Sequence, residues 1–430
     1  MTVLPGGLRV CVESVPQYGR GLAAVALTVA AGGDDDPAGR HGTAHLVEHL
    51  MFPRSGREGS ADPAGEGYAA LVAGAGGVCN AETHRDHTVF HTTVPAELLP
   101  DALAWEAGRL LGFAPTEDVI RTETDVIGEE IRGAGDAGRY WESALGALYP
   151  GSRDSFGTAA ELAGITAGEV EAFFRAHYTA PRMVLSVVGD VDPARVVAVV
   201  REVFAGVVRT AEETRAAEAP RTEREIRAAE EARAATEIRT APLPAARPGV
   251  AVGHPLPDPV AERPAYLAQA VLAQVLGRSR LPALARSARD GHRLTSATVT
   301  CGYHGQWLAS AAPDLTLAVL GRAPGTEVGA AVDIWRSVLR AVADGPLPEA
   351  EHRRAVNSLL VAWHRQADSL PTRAVALGRD ALLLPGSAGP DALPAALRHT
   401  TRAEVAAAAR TLLEGPVTVT ELAPQKGTVG

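Results

Sequence analysis

Thr88-Val-Phe-His-Thr-Thr93, followed by Pro95 and a helical stretch carrying Trp105, has a counterpart far along the chain. There Leu315-Thr-Leu-Ala-Val-Leu320 leads to Pro324 and a helical stretch carrying Trp335. The offsets are 229 for the prolines and 230 for the tryptophans. Pro115 and Glu117 then open a further helix, as Pro348 and Glu351 do in the second copy. A strand–helix–helix unit repeated at a constant offset is the mark of internal duplication. It predicts an α+β fold of two similar domains of about 200 residues each. Each would be a mixed, mostly antiparallel sheet packed by helices, with strands that alternate only partly because helices cover them.

Working outward, short β-type runs at Leu8–Val15 and Ala23–Ala30 open the first copy. The apolar run Met183–Val188 suits a buried strand, and Asp192 with Pro193 starts another helix. Between Arg209 and Arg239, seven arginines and eight glutamates alternate through alanine and threonine, which reads as a solvated linker. The expected divisions are therefore 1–208, a charged segment at 209–239, and 240–430.

Composition excludes several classes. The chain has 430 residues, 46% hydrophobic and 21% charged, which is ordinary for globular domains. The net charge is −10 with basic residues dispersed, so neither a nucleic acid nor a membrane surface is the expected partner. One of the 41 basic residues, Lys426, is a lysine, a bias that fits genomic base composition. Cys11, Cys79 and Cys301 are odd in number and far apart, which argues against a disulfide framework or a thiolate zinc knuckle. The apolar run Gly21–Gly33 is too short to span a bilayer and follows Glu13, which makes it an unconvincing signal peptide. A reducing, cytoplasmic location is expected.

The chemistry concentrates in His41-Gly-Thr-Ala-His45-Leu-Val-Glu48-His49-Leu-Met-Phe52. On a helix His45 and His49 project from one face, so both imidazoles reach one metal. Glu48 lies on the flank, placed to take a proton from water without being a ligand. This is the HxxEH pattern, the inverse of the commoner zinc-protease helix. Two imidazoles and one carboxylate would leave a fourth zinc position open. Glu123 and Glu130 lie two turns apart on one stripe of a later helix, with Ile127 between them. Glu129, next to Glu130, points about 100° away.

These stretches together resemble the pitrilysin/insulinase/mitochondrial-processing-peptidase family of zinc proteases. Leu4-Pro-Gly-Gly-Leu-Arg-Val looks like its opening strand, and Gly42–Phe52 looks like its metal helix. Gly76-Gly-Val-Cys-Asn80-Ala81-Glu82-Thr83 resembles its "GG..NA.T" strand, and Glu123–Ile131 resembles the helix bearing its third ligand. Gly157-Thr158, Tyr178–Met183 and Val187–Val191 follow in order. The resemblance implies one Zn2+ per chain held by His45, His49 and Glu130, with Glu48 as general base. Glu123 becomes the carboxylate that orients a ligand histidine. Asn80, Ala81, Glu82 and Thr83 become an edge to which an extended peptide adds as a strand. The plain alternative there is an edge strand without a ligand. Nearby His84, His87 and His91 read as solvated or core histidines rather than a second metal site, with His84 on the face opposite to the other two.

The second half departs from the pattern. Its Tyr266–Leu276 stretch has no HxxEH, and Ala362 stands near the place equivalent to Glu130. The resemblance also implies an Arg and a following Tyr that hold the substrate carbonyl. Arg286 or Arg289 fits the first, but Leu294 or Thr295 stands where the tyrosine belongs, and Tyr303 is too far along. One oxyanion donor fewer costs about 2.7–4 kcal/mol in the transition state. The expectation is a metal-bearing subunit whose homologous partner supplies the Arg/Tyr pair, a heterodimer in preference to a homodimer. The expected activity is zinc-dependent endopeptidase cleavage of short or unfolded polypeptides, with leader or processing peptides among the substrates. The competing classes are a non-catalytic scaffold subunit and a peptide-binding module of the same fold.

Overall fold

The computed structural model describes residues 1–52, 67–133, 136–207, 237–282, 294–311, 313–384 and 392–424. Its strands form two sheets. The first contains β1 (Thr2–Val3), β2 (Arg9–Ser14), β3 (Leu22–Val29), β4 (Val78–Thr83), β5 (Thr88–Pro95) and β6 (Met183–Gly189). Their order is β1-β2-β6-β3-β5-β4; β2 and β6 run parallel and the other neighbours antiparallel. The second contains β7 (Ile238–Arg239), β8 (Leu243–Ala245), β9 (Gly249–Pro255), β10 (Leu294–Cys301), β11 (Leu315–Arg322) and β12 (Thr418–Pro424). Its order is β10-β11-β9-β12-β7, with β8 also beside β12. Matching β2, β3, β4, β5 and β6 to β7, β9, β10, β11 and β12 reproduces every neighbour among these strands, including a parallel pair (β2/β6 and β7/β12). The duplication legible at Thr88 and Leu315 is thus a duplication of topology.

The compact units do not follow the linear halves. One comprises Met1–Gly133, Arg153–Ala219 and His364–Pro385; the other comprises Ala134–Ser152, Pro220–Trp363 and Gly386–Gly430. Each sheet takes one covering helix from the other half of the chain. Leu370–Leu383 packs on β3, β5 and β6, and Asp136–Leu148 packs on β9, β11 and β12. Divisions at 208 and 240 leave both helices with the wrong sheet. Most of the charged 209–239 stretch lies outside the described residues, but its end, Ile238–Arg239, is β7 and belongs to the second sheet.

Period-two alternation explains why the first sheet needs two covers. On β3, Val25, Leu27 and Val29 join a core with Leu46, Val47, Leu103 and Ile127, while Ala24 and Ala26 face Ala374 on the exchanged helix. Small residues set that second spacing. A Cβ on Gly378 would lie 2.5 Å from Thr28 Oγ1 and 2.9 Å from Ser186 Oγ, and Ser186 Oγ donates to the Ala374 carbonyl at 2.6 Å. Gly378→Val is expected to cost about 1–3 kcal/mol through overpacking, read as a lowered urea midpoint. An unshifted midpoint would contradict so close an approach. Among the described residues no helix is long and apolar enough to cross a membrane.

Candidate metal centre

The His45/His49 helix spans Thr43–Leu50. Its N-terminus is capped from a distance: Asp36 accepts from the N–H of Gly42 at 2.6 Å and of Ala44 at 2.8 Å. Burial pushes the Asp36 carboxyl up to about 6, against the pull of those two backbone donors. Gly42 takes a left-handed φ of 105°, which glycine adopts without strain. Leu46, Val47 and Leu50 face the core, which leaves the histidine face to the site.

The second element is the Glu117–Gly133 helix, whose stripe has Ile127 and Glu123 buried and Glu130 at its wetter end. Glu130 Oε2 lies 3.5 Å from the Nε2 atoms of both His45 and His49. The two imidazoles meet edge to face with centroids 4.9 Å apart. Glu129 points elsewhere, exposed and paired with Arg132 at 2.6 Å.

The remaining imidazole nitrogens decide what the cluster fits. His49 Nδ1 lies 3.2 Å from Glu123 Oε2, and His45 Nδ1 lies 3.4 Å from the Phe156 carbonyl. A carbonyl only accepts, and a carboxylate accepts when ionised, so both Nδ1 atoms carry the hydrogen. Both Nε2 lone pairs then point, with the Glu130 oxygen, toward one place. Three acceptors aimed together repel unless a cation stands between them. One ligand atom from each of the three residues lies within 4.8 Å of the others, the one such group among the described residues. A tetrahedral zinc with bonds of about 2.0–2.1 Å separates its ligands by roughly 3.4 Å. The donor set therefore fits a divalent metal. The carboxylates also make the surroundings negative. Burial works against charge on His49, but the Glu123 hydrogen bond and the nearby Glu48 and Glu130 outweigh it and raise its pKa. The His45 contact holds the Glu130 carboxyl below its usual range.

Glu48 stays outside this set and is held by another strand, accepting from Thr83 Oγ1 at 2.6 Å. Thr83 is thus tied to the Glu48 carboxylate, a contact absent from the reading of 80–83 as a bare docking edge. β4 is the terminal strand of its sheet, with Asn80 and Glu82 exposed and Ala81 buried in the core. The neighbouring histidines differ from the strand reading. His84 lies in the turn after β4, and its ring stacks on His87 at 4.3 Å. Burial takes the His87 imidazole down to about 4, so it stays neutral.

Arg286 and Arg289 lie outside the described residues. Leu294 begins β10 and is buried. Tyr303 is 4% exposed with its ring 4.8 Å from Trp141, so it is core and offers no substrate donor. Sequence reading missed Asp36, Phe156 and the Thr83–Glu48 bond. The aspartate run at 34–36 shortly before a helix was the signal for the first; a backbone carbonyl leaves none.

A helix-borne histidine pair with a flanking glutamate, joined by a carboxylate from a second helix, is a donor set suited to a divalent metal in an α+β protein, and comparison places the chain. Residues 12–134 match the family model described as Insulinase (Peptidase family M16), and residues 164–359 match Peptidase M16 inactive domain. The chain belongs to the insulinase, or M16, peptidase family. An uncharacterized zinc protease of Mycobacterium tuberculosis is 33% identical over 208 residues, covering 47% of this chain and 46% of that protein. The probable mitochondrial-processing peptidase subunit beta of Arabidopsis thaliana is 30% identical over 211 residues, 47% and 38% of the two chains. The matches thus span less than half of those relatives' length. In fold, the chain is similar to a protease from Helicobacter pylori, with a TM-score of 0.79 at 19% identity over 98% of both chains.

Proposed function

We propose that the chain is the zinc-bearing subunit of an endopeptidase that cleaves short or unfolded polypeptides, leader-type peptides included. The observation that carries this reading is the convergence of His45, His49 and Glu130 with both Nδ1 atoms already committed. Zinc bound there would polarise the scissile carbonyl and acidify the attacking water. Glu48 takes the proton from that water and passes it to the leaving amine, while Thr83 fixes the carboxylate's orientation. Glu123 holds His49 in the ligating tautomer. The edge of β4, the terminal strand of its sheet among the described residues, would seat an extended substrate beside Thr83.

The missing tyrosine supports a heterodimer: of the two residues at its expected place, Leu294 is buried and Thr295, though exposed, carries no phenol, and Tyr303 is taken up by the core. A homologous partner would bring the Arg/Tyr pair; the relative named a mitochondrial-processing peptidase subunit beta is a subunit by its own name. The test is hydrolysis of a quenched-fluorescent unstructured peptide, with and without the partner, before and after chelation. Activity should vanish with the chelator and return with zinc. Peptide binding that survives chelation without any hydrolysis would favour the binding-module reading. Full turnover by the isolated chain would remove the partner. Glu123→Gln should weaken zinc binding about 10–100-fold by loosening His49, measured by chelator competition; unchanged affinity would deny Glu123 its orienting role.

A further inference from the structure

Glu123 accounts for one ligand imidazole; His45 is held by the Phe156 carbonyl, which sits in a short loop with unusual bracing. Asp154 Oδ1 accepts from the N–H of Phe156 at 3.0 Å and of Gly157 at 3.4 Å. His41 Nε2 lies 3.1 Å from the same oxygen and 3.1 Å from the Asp154 carbonyl. His41 and Asp154 are both buried. Burial opposes charge on His41, yet the Asp154 hydrogen bond and carboxylate prevail and raise its pKa to about 9. On the other side of the loop, the Arg153 N–H donates to Asp34 Oδ1 at 3.0 Å, and a Cβ on Gly33 would meet the Asp154 backbone carbonyl oxygen at 1.8 Å. Gly157 adopts φ +82° and approaches so closely that its Cβ would lie 2.5 Å from Gly42 Cα, at the start of the histidine helix. The loop and the helix N-terminus therefore cannot drift apart independently.

We propose that Asp154, clamped by His41, is a positioning residue that fixes the tautomer and tilt of His45 through the Phe156 carbonyl. The inference rests on the metal-site reading above. Asp154 touches no substrate. It does for His45 through a backbone group what Glu123 does for His49 directly. A carbonyl whose own N–H and next N–H are both anchored cannot swing away from the imidazole, so Nδ1 keeps its hydrogen and Nε2 keeps its lone pair for the ion.

The test uses the purified full chain without substrate, reading zinc affinity by competition with a chromophoric chelator and the visible absorption of a Co2+-substituted site. Asp154→Ala should bind zinc about 10–100-fold more weakly and alter the cobalt spectrum. Asp154→Asn, which keeps an acceptor for both backbone donors, should recover part of that loss. Glu13→Gln breaks the ion pair with Arg373 (2.7 Å) in the same unit and should lower stability while leaving zinc affinity alone. Wild-type affinity in Asp154→Ala, or an equal affinity loss in Glu13→Gln, overturns the proposal. Should Asp154→Ala fail to fold by circular dichroism, His41→Gln decides: weaker zinc binding supports the clamp and unchanged binding overturns it. His45→Ala separates the two readings: unchanged zinc affinity in that variant condemns the metal-site reading itself, whereas weakened affinity there with wild-type affinity in Asp154→Ala condemns the clamp alone.

Discussion

Glu48→Gln is expected to retain zinc and lose about 10²–10⁴-fold in kcat. The residue is not one of the three converging donors, so its removal leaves His45, His49 and Glu130 with their geometry. Glutamine has the same shape and still accepts from the Thr83 hydroxyl, now 2.6 Å from Glu48 Oε2, so the side chain should keep its place. What it loses is the capacity to take a proton from water and return it to the departing amine. The measurement pairs metal content with turnover of an unstructured peptide, in the presence of the partner if one is required. Full metal with unchanged turnover would leave the proton with some other group and end the assignment of Glu48. Loss of metal together with activity would instead make Glu48 a structural support of the site.

That experiment probes the part of the site that was most legible. Histidines four residues apart on a helix must share a face, and Glu123, Ile127 and Glu130 must share a stripe; helix geometry alone dictates both. The choice of Glu130 over Glu129 follows from the same arithmetic, and Glu129 sits with Arg132. The fold was legible for a similar reason: duplicated strands and helices leave a constant offset, and both sheets share one strand order. Long-range partnerships were not legible. Asp36 reaches the helix it caps across a loop, and Phe156 serves His45 with a peptide carbonyl that any residue carries. The exchange of Asp136–Leu148 and Leu370–Leu383 between the halves of the chain was hidden because an amphipathic helix encodes which face it buries, not which sheet receives it. The stacked pair His84/His87 escaped the alternation rule because the chain turns there instead of continuing as a strand.

The largest expected loss of stability comes from a pair below the histidine helix. Arg109 and Glu106, one turn apart on the Leu99–Leu111 helix, are 3% and 2% exposed at their side chains. Arg109 Nε donates to Glu106 Oε1 at 3.0 Å; the other carboxylate oxygen accepts from the Tyr68 hydroxyl at 3.0 Å, which also contacts Thr92 Oγ1 at 2.7 Å. The guanidinium carbon lies 4.3 Å from the Tyr68 ring centre, 4.5 Å from that of Phe90 and 5.2 Å from that of Phe52. Arg109 Nη1 reaches the Met51 carbonyl at 3.5 Å, just past the end of the histidine helix, where a cation also meets the favourable pole of the helix dipole. Removing one member strands the other charge without water. Arg109→Leu is therefore expected to cost about 3–5 kcal/mol, read as a shift of the urea midpoint. The double variant Arg109→Leu/Glu106→Gln should recover much of that loss, because the neutral amide still accepts from Tyr68 and no net charge stays buried. Strictly additive losses would show that the two side chains stabilise separately, through packing, and that the ion pair itself contributes nothing. Zinc affinity measured on the same variants adds a second criterion: if Arg109 also steadies the end of the histidine helix, affinity should fall in both Arg109→Leu proteins and stay low when Glu106→Gln restores stability.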